Sequence, residues 1–328
     1  MGSITIKDVA AAAGVSTATV SRVMNRNGYV SETVRMQVER VMAELNYQPN
    51  ALARSLKQER TRTVGMILPD MTNPYFMSVS RQAQQRLLER GYHLIYMDSA
   101  EDSQKELEAI RLLQGMRIEA LILAGTGHNG ELLQLLMQSG LTVILLDRII
   151  PGVHADQVVE DNVSAAEEGA AYLLGKYGER IGIIGGPSTI STAGERLRGV
   201  RNAYERSGRS LAEEWVYTGD YSRASGMRAC DYFMSMQQPP EAIFSANNEM
   251  TYGFYCGLRE RGLRLDALEV VSFGQLDAAA LFANKLSVIV QQPEQIGEAL
   301  TEIIFKRLEQ DATGREKRLF VPRFEKFS

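Results

Sequence analysis

The chain has 328 residues, 45% of them hydrophobic, which is enough for a small and a large folded domain. This composition excludes a chain that is disordered along its whole length. Its net charge is −4, but residues 1–60 carry eight basic and five acidic side chains, so a segment of +3 precedes a body of −7, and we expect the basic end to face phosphate. No apolar run approaches the roughly 20 residues of a membrane helix and no secretion signal opens the chain, so we expect a soluble, cytoplasmic protein.

Residues 1–46 contain short apolar-periodic segments interrupted by glycines, which predicts three short helices. Thr5 and Asp8 have the spacing of a capping box, in which side-chain oxygens accept unpaired N–H groups of a first helical turn. Ser16 and Ser31 are suited to cap the second and third helices. We therefore expect an all-α amino-terminal domain.

The first two helices have the spacing of a helix-turn-helix. Gly14 permits the tight turn, and Val9, Val20 and Val23 can pack the helices together. The packing leaves an outer face on the second helix, made of Thr17, Ala18 and Arg22. An arginine there is long enough to donate to guanine O6 and N7. Neighbouring side chains that suit phosphate are Ser16, Thr19, Ser21 and Asn25. The alternative is a small helical bundle that contacts proteins, which leaves this placement of polar side chains unexplained.

Residues 47–62 contain a proline-started stretch that is too short to fold alone and is expected to become helical on binding. From residue 63, apolar runs alternate with amphipathic segments, including a helix predicted at 131–138. The runs lie at 64–68, 94–97, 120–124, 143–146, 181–184, 242–244 and 270–273. This alternation predicts right-handed βαβ units and parallel sheets in two similar lobes, and a further strand is expected at 318–324.

The chain is expected to cross between the lobes near 161–165 and to return near 288–293. Ligands of open α/β sheets bind beyond the carboxyl ends of the strands, so the cleft between the lobes is the expected binding site. Tyr75 and Phe76 follow the first strand of this domain, where their rings can stack on a sugar or a base.

The strongest enzyme-like signal is a Gly-x-Gly-x-x-Gly pattern at 125–130, with Asp147 ending the next strand in the manner of a ribose-binding acid. The same segment is equally suited to a turn into the following helix. The glycine-rich segment 185–188 lacks the lysine of a phosphate-binding loop, and no serine elbow or carboxylate pair indicates catalysis. Cys230 and Cys256 have no redox or metal spacing, which predicts two buried, reduced thiols, and the histidines fit no metal site. We therefore expect no enzyme, no metal and no cofactor.

The helix-turn-helix segment, together with Asn25, Val30-Ser31, Leu45-Asn46-Tyr47, Pro49-Asn50 and 53–56, closely resembles the lactose-repressor/galactose-repressor (LacI/GalR) family, and the similarity runs along essentially the whole chain. The resemblance implies an α/β protein with an all-α helix-turn-helix headpiece and a two-lobed, periplasmic-binding-protein-like domain with parallel sheets. The implied domains are a headpiece at 1–46, a hinge at 47–62 and an effector-binding and dimerisation domain at 63–328, with one lobe at about 63–162 and 292–322 and the other at about 163–291 and 323–328.

The resemblance also implies which side chains contact DNA. In the family, paired hinge helices of a dimer enter the minor groove of a near-palindromic operator, which makes Leu56 a wedge between base pairs and Ala53 its neighbour. Alternatively, Leu56 caps the core of the large domain. The implied DNA contacts are Thr5, Ser16, Thr17, Ala18, Thr19, Ser21, Arg22, Asn25, Tyr29, Ser31, Tyr47, Asn50, Ala53, Arg54 and Leu56.

For a small-molecule effector, the resemblance implies contacts from both lobes, namely Tyr75, Phe76, Thr126, Arg148, Asp161, Thr192, Arg196, Tyr221, Asn247 and Gln275. The carboxylate, guanidinium, amide and aromatic groups of this set suit a polyol. The chain departs from the family at two places. Gly274-Gln275 stands where an aspartate usually follows the strand, and Asn247-Asn248 stands where the family has Asn-Asp. Because Arg148 and Arg196 are retained while these acids are missing, the set favours a sugar acid or a phosphorylated sugar as the effector.

Together these observations predict a homodimeric transcription regulator, a repressor of a carbohydrate-utilisation operon, that acts at the nucleoid and contacts no membrane. The chain lacks the leucine-rich tail of the tetrameric members, which favours a dimer. The effector, the operon, any protein corepressor and the sign of the effector's action stay open. The alternative is a two-lobed sugar receptor without a transcriptional role, against which the headpiece argues.

Overall fold

A computed structural model describes residues 4–25, 27–47, 61–281, 283–309 and 313–326. The chain divides into two compact units, residues 1–61 and residues 62–328. None of the helices in the described segments has both the length and the apolar character needed to cross a membrane.

The described part of the first unit contains three helices, as predicted: α1 Ile6–Ala12, α2 Thr17–Asn25 and α3 Glu32–Glu44. Their apolar faces form a small core that includes Val9, Val20 and Val38. Asp8 closes the first turn of α1, because its Oδ2 accepts the backbone N–H of Thr5 at 2.8 Å and the Thr5 hydroxyl at 2.7 Å. These hydrogen bonds hold the pKa of the Asp8 carboxyl below its usual value. The predicted capping box is therefore confirmed.

Ser16 caps α2, as predicted. Its Oγ accepts the backbone N–H of Thr19 at 3.1 Å, and so satisfies a donor that the first helical turn leaves unpaired. Gly14, in the turn before it, has φ +62°, a conformation that glycine adopts without strain. Ser31 precedes α3 with extended backbone, but its side chain makes no capping hydrogen bond, so its predicted capping role is wrong.

Twelve strands lie in the described part of the second unit: β1 Thr63–Leu68, β2 His93–Asp98, β3 Ala120–Leu123, β4 Thr142–Leu146, β5 Asp156–Glu160, β6 Ile181–Gly185, β7 Val216–Thr218, β8 Ala242–Ser245, β9 Glu269–Phe273, β10 Lys285–Val290, β11 Lys317–Phe320 and β12 Arg323–Glu325. They form two six-stranded sheets, in the orders β11-β5-β4-β3-β1-β2 and β12-β10-β9-β8-β6-β7. The neighbours are parallel except for β10 and β12. In both sheets the order reverses between the first strand and its neighbour (β1/β3 and β6/β8), and such a reversal opens a crevice at the carboxyl ends.

Eight further α-helices lie in the described segments: α4 Pro74–Glu89, α5 Ser103–Gly115, α6 Gly130–Gln138, α7 Asn162–Tyr177, α8 Ser191–Arg206, α9 Arg223–Met234, α10 Asn248–Glu260 and α11 Pro293–Glu309. Two short 3₁₀ helices, Glu213–Trp215 and Asp277–Leu281, accompany them. On the first sheet, α4 and α11 cover the face that carries Met66, and α5 and α6 cover the face that carries Ile67. On the second sheet, α7 and α8 cover one face and α9 and α10 the other. The strands are apolar on both sides because helices cover both faces.

We call the first sheet with α4–α6 and α11 the first lobe, and the second sheet with α7–α10 the second lobe. Within the described residues, the chain passes between the lobes after β5, after β10 and after β11. The predicted return segment 288–293 begins inside β10. The single strand predicted at 318–324 is two strands in different sheets, and Pro322, which has no N–H to donate, lies between them.

Strands β5, β7 and β10 were not predicted. β5 begins and ends with acids, Asp156 and Glu160, and both are buried. Asp156 is tolerated there because Arg307 of α11 donates to both of its carboxylate oxygens. A partner 151 residues away leaves no local pattern.

The two cysteines differ in their surroundings. Both thiols are free, and Cys230 is buried, as predicted. Cys256 is only half buried, because Phe254 and Leu258 lie on the core-facing side of α10 and Cys256 does not. The prediction of two buried thiols is therefore wrong for Cys256.

Candidate functional sites

The first unit presents a polar helix face. Thr17, Ala18 and Arg22 are exposed, whereas Val20 and Val23, on the opposite side of α2, are buried. A helix-turn-helix presents its second helix in this way. The exposed guanidinium of Arg22 can donate to a base edge or to a phosphate.

The other predicted DNA contacts differ in how engaged their side chains are. Tyr29 is 94% exposed, and Ser31 is exposed as well. Tyr47 is half buried and packs against the small helical core. Thr5 already donates its hydroxyl to Asp8, so it has no second hydroxyl proton for a phosphate.

Two further predicted contacts, Thr19 and Ser21, are half buried on α2. Several others lie outside the described residues: Asn50, Ala53, Arg54, Leu56 and the side chain of Asn25. The wedge hypothesis for Leu56 and its alternative therefore stay predictions.

A cavity of about 460 Å³ lies between the two lobes of the second unit. Its lining comes from the carboxyl ends of strands in both sheets: Tyr75 follows β1, Asp147 follows β4, Asn247 follows β8 and Phe273 ends β9. This is the place where open α/β sheets bind ligands. We refer to it as the inter-lobe cavity.

The structure describes all ten residues predicted to bind an effector, and it brings seven of them to the inter-lobe cavity: Tyr75, Phe76, Arg148, Thr192, Arg196, Tyr221 and Asn247. Their part in effector binding stays a prediction. They differ in the hydrogen bonds that their side chains make to other protein groups. Asn247 caps α10 through its Oδ1, which accepts the Met250 N–H at 2.8 Å, and its amide donates to the Tyr221 carbonyl. The Tyr221 hydroxyl lies 3.3 Å from the Thr192 hydroxyl, so these two residues support each other in the wall.

Thr126, Asp161 and Gln275 do not line the cavity, which corrects their prediction. Thr126 is buried beside Glu106, whose Oε2 accepts the Thr126 N–H at 2.6 Å. Asp161 caps α7, with its Oδ1 accepting the Ser164 N–H at 3.0 Å. Gln275 lines a separate surface groove. For Asp161, the short-range capping bond directs the side chain away from the cleft.

The glycine-rich segment at 125–130 has a structural explanation that needs no dinucleotide. Gly127 has φ +89°, and a Cβ there would lie 2.8 Å from the Thr189 carbonyl oxygen of the second lobe. The fully buried Glu106 accepts the Thr126 N–H and the Asn129 side-chain amide, at 2.6 and 2.7 Å. A pyrophosphate would need donors that this carboxylate already holds.

Asp147 is a buried acid at the cavity that the effector prediction did not include. It is 6% exposed and has φ +63°, a conformation uncommon outside glycine. Its Oδ2 lies 3.6 Å from Nε of Arg148, and its Oδ1 lies 3.9 Å from Nη2 of Arg196. Oδ1 has no hydrogen-bond partner among the described residues. The sequence signal for this residue is its place directly after an apolar strand, which predicted the ribose-binding acid of a dinucleotide site.

Arg196 is largely committed to the protein. It is 5% exposed, its Nε donates to Asn162 Oδ1 at 2.8 Å, and its Nη1 donates to the Ala246 carbonyl at 2.6 Å. The guanidinium stacks 3.7 Å from the ring centre of Phe273. The preference for an anionic effector assumed missing acids and available arginines. Asp147 in the cavity and the two hydrogen bonds of Arg196 argue against an anion, and the preference itself stays a prediction.

Glu160 lies behind the cavity wall, where the lobes are connected. Its Oε2 accepts the side-chain amide of Gln291 and the hydroxyl of Tyr75, and both of these residues line the cavity. Burial, with a smaller contribution from the charge of Asp147, raises the pKa of Glu160 to about 7. This carboxyl therefore titrates near neutral pH.

Direct hydrogen bonds join the lobes at the cavity. Asn73 of the first lobe and Asn248 of the second donate to each other's Oδ1 at 3.1 and 3.0 Å, and both amides are buried. The backbone N–H of Ile149 donates to the Ser191 hydroxyl at 2.9 Å. Separation of the lobes would break these bonds, so the cavity and the lobe arrangement are physically linked.

Left-handed backbone is concentrated at the cavity. Ala100, Glu101, Asp147 and Tyr221 have φ between +49° and +68°, and all four line it. Such conformations cost about 1 to 3 kcal/mol each and persist where the surrounding structure imposes them, which is characteristic of functional sites. This observation supports the cavity as a binding site independently of any pattern in the sequence.

Comparison with known proteins agrees with this architecture. The family model described as periplasmic binding proteins and sugar binding domain of the LacI family matches residues 61–324, and the model for bacterial regulatory proteins of the lacI family matches residues 5–50. The ribose operon repressor of Escherichia coli strain K12 is 31% identical, over 97% of each chain. The transcriptional repressor PurR of Photobacterium profundum is 30% identical, over 96% of this chain and 95% of its own. The lac repressor dimer bound to operator and the anti-inducer ONPF has the same fold, with a TM-score of 0.83 at 23% identity, over 99% of this chain and 98% of its own.

Proposed function

The chain belongs to the LacI family of effector-regulated, DNA-binding transcription repressors, which are not enzymes, and we propose that it binds a near-palindromic operator as a homodimer under the control of a carbohydrate in the inter-lobe cavity. The regulated genes in this proposal serve carbohydrate utilisation. We place its action in the cytoplasm, at the nucleoid.

The observation that carries the carbohydrate proposal is the arrangement around Asp147. Its buried Oδ1, without a hydrogen-bond partner among the described residues, lies at the cavity 3.9 Å from Nη2 of Arg196, so an acceptor and a donor lie side by side. Adjacent hydroxyls of a sugar both donate and accept hydrogen bonds and can use the pair together. The rings of Tyr75 and Tyr221 supply flat apolar walls for the C–H face of a sugar ring.

Coupling to DNA follows from the contacts that cross the cavity. A ligand that contacts both Asp147 of the first lobe and Arg196 of the second favours one spacing of the lobes over another. An effector shifts an equilibrium only by its difference in affinity for the two states, and here both lobes supply contacts that depend on their spacing. In this proposal, lobe spacing sets the separation of the paired helix-turn-helix units.

The test is in-vitro selection of random duplex DNA on the purified chain at near-physiological salt, with sedimentation analysis of its mass. We expect one near-palindrome to be enriched and a dimer to bind it. Titration of the selected duplex with D-ribose, cellobiose, glucose and their phosphates then identifies which sugar changes operator affinity. A monomer, or a pool without enrichment both with and without sugars, contradicts the proposal and favours the two-lobed receptor without a role in transcription.

A further inference from the structure

The inter-lobe cavity contains a second arginine whose charge is neutralised inside the protein. The side chain of Arg148 is 4% exposed, and its Nη1 and Nη2 donate to the two carboxylate oxygens of Glu101 at 2.7 and 2.6 Å. Both residues line the cavity. This is a bidentate pair, in which the two parallel N–H groups of the guanidinium are already used.

The same two N–H groups are those that a phosphate or carboxylate ligand would need. Anion recognition by arginine relies on parallel donation from the planar guanidinium, and Glu101 holds that edge. Asp147, 3.6 Å from Nε of Arg148, adds a second negative charge. Burial alone would lower the pKa of Arg148, but the hydrogen bonds and charge of Glu101, with that of Asp147, raise it above its usual value. The guanidinium is therefore charged but compensated.

Hydrogen bonds within its own loop and to the loop after β1 hold Glu101 in place. Asp98 Oδ1 accepts the Ala100 N–H at 2.7 Å, and the Glu101 N–H donates to the Pro69 carbonyl at 3.1 Å. Glu101 itself has φ +56°, a strained conformation. The loop after β2 is shaped so that this carboxylate reaches Arg148.

We propose that Glu101 is a specificity-determining residue, which makes the cavity select neutral polyhydroxyl effectors over their phosphorylated or acidic forms by occupying the paired N–H groups of Arg148. The inference rests on the proposed effector cavity and adds the ligand class to it. Arg196 offers only its Nη2, 3.9 Å from Asp147 Oδ1, because its Nε and Nη1 donate to Asn162 and Ala246, so it has no pair of parallel N–H groups for an anion. Anion binding by the paired N–H groups of Arg148 is therefore controlled at Glu101.

The test compares wild type with Glu101→Gln, which removes the charge and keeps the shape. The probes are inorganic phosphate alone and the pairs D-ribose with ribose 5-phosphate and D-glucose with glucose 6-phosphate, measured by titration calorimetry on the full chain. In Glu101→Gln we expect phosphate affinity, and the preference for each phosphorylated sugar, to rise by ~10- to 100-fold, as for a gained charge-assisted hydrogen bond. Glu108→Gln, an exposed change of equal charge on α5, should leave both unchanged.

The double variant Glu101→Gln/Arg148→Gln should lose the gain, because the guanidinium itself is gone. It also protects the test if Glu101→Gln alone leaves Arg148 as a buried, unpaired charge and fails to fold. In that case wild type and the double variant should both prefer the neutral sugar. Tight binding of a sugar phosphate by wild type overturns the inference, as does a folded Glu101→Gln that still rejects phosphate. If no sugar binds any variant but Glu101→Gln gains phosphate, the specificity role of Glu101 stands and the carbohydrate proposal fails.

Discussion

The polar side chains of α2 and those of the inter-lobe cavity are organised in opposite ways. On α2, Thr17 and Arg22 point to solvent from a helix whose other side is buried. In the cavity, Arg148 and Arg196 are almost fully buried and are held by hydrogen bonds to the protein. A DNA-facing surface needs exposed donors on a small scaffold, whereas a small-molecule site needs pre-arranged groups in a dry space. Changes in the cavity should therefore affect folding and ligand together, and changes on α2 should affect DNA alone.

The largest effect is expected for Arg196→Ala. It removes two buried hydrogen bonds and the stacking on Phe273, and leaves the oxygens of Asn162 and Ala246 unsatisfied. We expect the free energy of unfolding to fall by about 3 kcal/mol or more, with loss of the response to effector. Urea denaturation measures the first and operator titration with sugar the second. Arg198→Ala, an exposed change two positions along the same helix, is the control, and its free energy of unfolding should stay within about 0.5 kcal/mol of wild type. Equal stability of the two variants would contradict the contrast between the cavity and the exposed surface.

The next effect concerns Glu160 and pH. Its folded pKa of about 7 is above the usual 4.5, so the folded state holds a proton that the unfolded chain has released. This contribution to the free energy of unfolding is present below pH 4.5 and is lost as pH rises through about 7. For a group that is only 3% exposed, the difference between the two pKa values corresponds to about 3 kcal/mol. Glu160→Gln should remove this slope. Calorimetric unfolding from pH 4.5 to 8 measures the difference between the two proteins, and parallel curves would mean that Glu160 is ionised throughout.

On α2, Arg22→Ala should leave the stability of the second unit unchanged and weaken binding to the selected operator by about 1 to 3 kcal/mol. If Arg22 contacts a base edge, base preference at one operator position should also relax. Arg40→Ala on α3, an exposed arginine paired with Glu44, is the matched change of charge. Competition binding on single-base operator variants separates the cases, and uniform weakening across all of them would make Arg22 a phosphate contact.

The smallest effect is expected for Ser16→Ala. It removes the hydrogen bond from the Thr19 N–H to Ser16 Oγ at 3.1 Å, and should cost the local stability of α2 about 1 kcal/mol. Hydrogen exchange on the full chain measures this as roughly fivefold faster exchange of the Thr19 amide. Ser31→Ala is the control, because the Ser31 side chain makes no capping bond. Equal effects of the two changes would show that the Ser16 cap does not stabilise α2.

Much of the fold could be predicted because its signals are local. The spacing of Val9, Val20 and Val23 identified the two packed helices, and apolar runs located seven of the strands. β5 was missed because its buried acids, Asp156 and Glu160, stand at its two ends and leave too short an apolar run between them, and their partners Arg307 and Gln291 lie far along the chain.

The cavity was only partly predictable, for the same reason. The ring of Tyr75 follows a strand directly, so its place at the carboxyl end of the sheet could be inferred from the chain alone. Asp161 and Asp147 both follow strands, yet Asp161 turns back to cap α7, whereas the left-handed backbone of Asp147 directs its carboxylate into the cavity.

Short-range spacing thus specified which segments form helices and strands, because capping, periodicity and turn formation involve residues a few positions apart. The charge that a ligand meets depends on which side chains from separate loops neutralise each other, as Glu101 does for Arg148, 47 positions away. Only the tertiary packing of the strands brings such loops within hydrogen-bond distance, so the chemistry of the cavity was decided by the folded chain.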